Sequence, residues 1–97
     1  MNLRFTVAAQ AEFEAAIDHY ELERPGLGDT FVAAFDETIE RIRLNPDAWT
    51  IVSEGARRCL FKRFPYGVFY RVDGDVLIIV AVLHLHRHPD SWRGRCS

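Results

Sequence analysis

YGVFYRVDGDVLIIVAVLH, residues 66–84, decides the fold. Its first part, Tyr66 to Val72, alternates like a strand with two unlike faces, whereas Val76 to Leu83 is apolar at nearly every position. Successive strand side chains point to opposite sides of a sheet, so a continuously apolar run needs cover on both. The second segment therefore reads as the central, doubly covered strand. Between the two, Val72-Asp73-Gly74-Asp75 is a hairpin signal, with Asp-Gly suited to the positive φ values of a type I′ turn.

Working outward, Arg57 to about Lys62 alternates as a further strand. Phe64-Pro65 cannot sit in the centre of a ladder and marks the turn that follows it. Upstream the period changes. Phe13, Ile17 and Tyr20, with Ala9 and Ala16, make one apolar face from about Ala8. Glu12, Glu14, Asp18 and Glu21 lie largely opposite, as in an amphipathic helix. Pro25 and the glycines of ERPGLG stop that helix. Leu27, Phe31, Phe35, Ile39 and Ile42 form the seam of a second helix, which opens near Leu27 or Asp29 and ends at Asn45-Pro46. Residues 2–6 alternate as a short first strand. The order is β-α-α-β-β-β in a single domain, 1–97. This predicts an α+β fold in which a helical hairpin covers one face of a small, mainly antiparallel sheet. The aromatic stripe on the helices reads as core.

A 48% hydrophobic composition excludes disorder, and no apolar run approaches the length of a membrane span. The acids in MNLRFTVAAQAEFEAA interrupt the apolar core that a signal peptide needs, so the expected location is cytoplasmic, with no membrane partner. Cys59 and Cys96 then read as free thiols.

Charge is unevenly placed. Residues 1–54 hold four arginines against eleven carboxylates, a balance of −7, and residues 55–97 hold eight cations against three carboxylates, a balance of +5. The stretch 57–72 alone carries Arg57, Arg58, Lys62, Arg63 and Arg71 and no acid. If the helices cover one face of the sheet, the other is available to an anionic partner, and one of Arg57 and Arg58 must point to it. LHLHRHPDSWRGRC, residues 83–96, adds His84, His86, His88, Arg87, Arg93, Arg95 and Trp92. Zinc would need three or four of these groups, with Cys96 or Asp90, to converge, and the spacing does not enforce that; no metal or other cofactor is expected. Acid–base cleavage of RNA would use His84 to move a proton and Arg58, Arg63 and Arg87 to hold phosphate. Binding without cleavage would use Arg57, Arg58, Arg63, Arg71, Arg93 and Arg95 for anions and Tyr66 or Trp92 for stacking. Residue types alone leave both readings open.

Arg57-Arg58, Phe64-Pro65-Tyr66, Val68, Tyr70-Arg71, Asp73-Gly74-Asp75 and Ile79 to His84 follow one another, closed by Arg87, Pro89, Trp92 and Arg95. With Tyr20, Pro25-Gly26-Leu27-Gly28, Phe31 and Asn45-Pro46 upstream, this series resembles the RelE/ParE superfamily of toxins from bacterial type II toxin–antitoxin modules, also called plasmid stabilisation proteins. The resemblance spans nearly the whole chain. It implies a growth-inhibiting toxin neutralised by a cognate antitoxin, in a homo- or hetero-oligomer. RelE-like members are endoribonucleases that cut messenger RNA on the ribosome; ParE-like members lack that catalytic set and poison DNA gyrase. A single lysine, no tyrosine after the last strand and an overall charge of −2 favour the ParE-like, non-enzymatic side. A RelE-like endoribonuclease and a non-toxic anion- or nucleic-acid-binding domain are the alternatives.

Overall fold

A computed structural model describes residues 1–53 and 55–86. In chain order the elements are β1 (Asn2–Phe5), α1 (Val7–Glu23), α2 (Leu27–Leu44), β2 (Thr50–Ser53), β3 (Ala56–Leu60), β4 (Tyr66–Asp73) and β5 (Val76–His84). The strands form one sheet in the order β1-β5-β4-β3-β2. β1 runs parallel to β5, and the other pairs are antiparallel. Two helices pack on this five-stranded mixed sheet, the α+β arrangement expected.

The helices begin and end where local chemistry requires. Thr6 caps α1, its hydroxyl accepting from Ala9 N at 3.1 Å. Gly26 holds φ +90, a left-handed conformation that favours glycine, and starts α2. The Glu21 carboxylate bridges the corner, accepting from the backbone N–H groups of Gly26 and Gly28 at 3.0–3.1 Å. Gly28 is needed for space, since a Cβ there would lie 3.1 Å from the Ile17 carbonyl oxygen of α1. Arg41 and Arg43 in the last turn of α2 suit the negative end of its dipole.

One face of the sheet takes the helices. Phe31, Phe35, Ile39 and Ile42 from α2 meet Val68 and Tyr70 of β4 and Leu77, Ile79 and Val82 of β5, with Phe5 and Phe13 stacked alongside. Cys59 lies fully buried in this layer. The opposite face has an apolar cluster of its own, Ala56, Phe69, Val80, Ala81 and Leu83, all buried, with Val52 against it. β5 is thus covered on both sides, as its composition demands. It sits between β1 and β4, one place from the middle strand, β4.

Three expectations need correcting. A second face bearing its own buried apolar cluster is not an open cationic surface. The β4–β5 loop is Gly74-Asp75, because Asp73 pairs with Val76. Only Gly74 there has positive φ, which fits a II′ turn and not the I′ turn expected from Asp-Gly. The sheet also has a strand, β2, that the sequence reading lacked.

Candidate binding surfaces

Strand register separates the arginines. Arg57 lies opposite Tyr70, a buried residue of the helix-side layer, whereas Arg58 lies opposite Phe69 on the other face. The double Arg therefore splits across the sheet, as alternation requires. Arg57 donates to the Trp49 carbonyl at 2.8 Å and approaches Asp47 at 3.9 Å. Arg58 packs its stem over Gly67, where a Cβ would be 3.3 Å from it. Arg71 shares the face of Arg58, at the far end of β4, with Asp73 at 3.8 Å. Arg63 is exposed in the β3–β4 turn beside Lys62. Among the described residues, neither Arg58 nor Arg63 has a carboxylate in ion-pair range.

The described residues line clefts at several places, of which three bear on binding. At the end of β3 and β4, Arg57, Arg71, Tyr70, Asp47, Ile51 and Val72 line a space of about 270 Å³. On the outer side of α2, Thr30, Ala33, Ala34 and Glu37 face Lys62 and Arg63 across about 180 Å³. Between α1 and the end of β5, Glu12, Ala15, Ala16 and His19 face Tyr66, Val82 and His84 across about 250 Å³. In that third cleft Glu12 accepts from Val82 N at 3.1 Å, and the His84 imidazole Nδ1 accepts from His86 N at 3.2 Å.

Two buried groups have perturbed acidity. Burial, opposed by Arg57, pushes the Tyr70 phenol up to about 12. Its hydroxyl donates to the Pro46 carbonyl at 2.6 Å, fixing the loop that carries Asp47 and Trp49. Burial likewise pushes the Cys59 thiol up, leaving an inert core residue where a nucleophile would need a low pKa.

With this geometry in place, comparison with known proteins is decisive on family. The family model of the ParE toxin of type II toxin–antitoxin (parDE) systems matches residues 3–89. The chain belongs to the ParE toxin family. A chain in the structure of the chromosomal ParDE toxin–antitoxin system from P. aeruginosa has the same fold, with a TM-score of 0.65 and 23% identity over 87% of this chain and 95% of that one. No curated protein matches.

For a ParE-family chain the distribution of the sequence-derived candidates is informative. Arg57 and Arg71 meet at one cleft, while Arg58, Arg63 and His84 occupy three separate places. Tyr66 is 6% exposed and packs edge-on or tilted against Tyr20, Phe31 and Phe61, with little of its ring offered to a base; it lines the third cleft beside His84. Arg87, Trp92, Arg93 and Arg95, with His88, Asp90 and Cys96, lie outside the described residues. Glu12, His19 and Asp47 were not singled out from sequence. The spacing of Glu12 and His19, i and i+7, already placed them on one helix face. Asp47, in an irregular loop, gave no signal.

Proposed function

We propose that this chain is the toxin of a ParE-type pair, arresting growth in the cytoplasm by poisoning DNA gyrase and held silent by a cognate antitoxin. The observation that carries the reading is the match of residues 3–89 to ParE toxins. The placement of charge supports a non-enzymatic mode. Cleavage of RNA needs a proton-transfer group and phosphate-binding cations around one reacting atom. Here His84 faces α1, Arg58 points to the opposite side of the sheet, and Arg63 stands in the β3–β4 turn over α2. An overall charge of −2 also earns little counterion release on ribosomal RNA. A toxin that works by lodging against a protein target needs no such convergence. Arg57, Arg58 and Arg63 are the groups offered to acidic residues of the antitoxin or target, with Arg71 beside Arg57.

The test is induced expression in bacteria with and without the neighbouring reading frame. Growth arrest relieved by the neighbour, trapped DNA breaks and intact transcripts are expected. Codon-phased new 5′ ends in messenger RNA would replace this reading with the RelE-like one. The absence of arrest in several hosts would leave a non-toxic binding domain.

A further inference from the structure

We propose that the outer side of β1 is a strand-acceptor edge, which takes an extended segment of a partner protein carrying an acidic residue between two apolar ones. β1 closes one side of the sheet, with β5 as its one strand neighbour among the described residues. In a parallel pair the backbone groups of alternate residues point to the neighbouring strand, and those of the residues between point away. Asn2 N donates to Asp75 O at 2.9 Å and Thr6 N to Ile79 O at 3.0 Å, so Asn2, Arg4 and Thr6 are the residues turned to β5. The N–H and C=O groups of Leu3 and Phe5 therefore face outward from the sheet. The register runs without a shift from Asn2 opposite Val76 to Phe5 opposite Ile79, so no bulge twists this edge away from an incoming strand.

The side chains of β1 decide what pairs there. Leu3 and Phe5 are half-buried on the helix side, where Phe5 stacks on Phe13 and Phe35 with ring centroids at 5.7 Å. Arg4 points to the other face, is exposed, and has no carboxylate in ion-pair range among the described residues. Those features select against a second copy of this chain. Antiparallel pairing of Leu3 with Phe5 of a copy would set Arg4 directly against its own equivalent, at the closer, non-hydrogen-bonded spacing where like charges repel. An acidic residue opposite Arg4 turns that repulsion into attraction. Its two neighbours in the incoming strand exchange main-chain hydrogen bonds with Leu3 and Phe5, and their side chains point to the helix side and extend the apolar layer. The edge uses none of Arg57, Arg58, Arg63 and Arg71, and it stands or falls apart from any action on gyrase.

The experiment follows the backbone amide resonances of the whole, isotope-labelled chain by NMR at one ionic strength. The probes are acetyl-Thr-Val-Glu-Val-Thr-amide, its lysine counterpart, and the glutamate peptide N-methylated at both valines. Saturable shifts at Leu3 and Phe5 are expected with the glutamate peptide, about tenfold weaker with the lysine peptide and lost on N-methylation. Arg4→Glu, an exposed change outside the core, should reverse the order of the two charged peptides. A response that maps away from β1, one that survives N-methylation, equal binding of both charges, or no saturable shift up to the solubility limit of the peptide would each overturn the proposal. So would concentration-dependent shifts of Leu3 and Phe5 without peptide, which would make a second copy the occupant.

Discussion

Tyr70 ties the sheet to the loop that shapes the arginine cleft, and Tyr70→Phe tests how firmly. The phenol is fully buried, and its hydroxyl donates to Pro46 O at 2.6 Å. Removing one neutral hydrogen bond of this kind lowers stability by about 1 kcal/mol near pH 7. The acidity adds a second, separable signature. The folded-state pKa is about 12, above the ~10 of a free phenol, so the folded chain holds this proton more tightly than the unfolded one. The resulting stabilisation is complete below about pH 10 and disappears as pH rises through about 12. At about pH 11 the unfolded phenol is roughly nine-tenths ionised and the folded one roughly one-tenth, so about 1.4 kcal/mol of stability has gone. Tyr70→Phe lacks that loss. Urea unfolding of both chains at about pH 7 and pH 11 should therefore show a gap near 1 kcal/mol that shrinks to about zero. A gap that stays constant, with both chains losing stability in parallel, would refute the assignment of the alkaline limb to this hydroxyl.

Three further outcomes follow from the helical corner and the core. Glu21→Ala removes a carboxylate that three hydrogen bonds place on the N–H groups of Gly26 and Gly28. It should cost about 1–2 kcal/mol by denaturant midpoint, discounted for exposure. Gly28→Ala forces a methyl group to 3.1 Å from Ile17 O and 2.9 Å from the Glu21 carboxylate. The expected loss, after the gain in helix propensity, is about 1–2 kcal/mol, and unchanged stability would mean the helices are not this close. Cys59, buried with its thiol pKa raised, should react with a thiol reagent only as fast as the chain unfolds; rapid native-state labelling would contradict its placement.

The helices were legible because their seams bury large aromatics at helical spacing. Phe31, Phe35, Ile39 and Ile42 are read from the sequence and found in the core. β5 was legible for the same reason in period two, its two-sided apolar character matching cover on both faces. β2 was not. Thr50–Ser53 is a four-residue edge strand with Ile51 exposed, so it lacks the alternation that betrays an interior strand. The open cationic face was misread because composition counts arginines without saying where register sends them. A bulge where the register passes from Phe69/Ala81 to Tyr70/Ile79 is equally invisible to a count. It shifts the facing of the rest of β5. That Arg57 and Arg71 line one cleft follows from strand register and the loop around Pro46, which no local pattern encodes.

Purified chain incubated with DNA gyrase, ATP and supercoiled plasmid tests the central claim most directly. A ParE-type poison predicts gyrase-linked linear DNA that accumulates with dose after protein is digested away. Plasmid that remains intact at full gyrase activity, while messenger RNA on programmed ribosomes is cut by the same preparation, would contradict it.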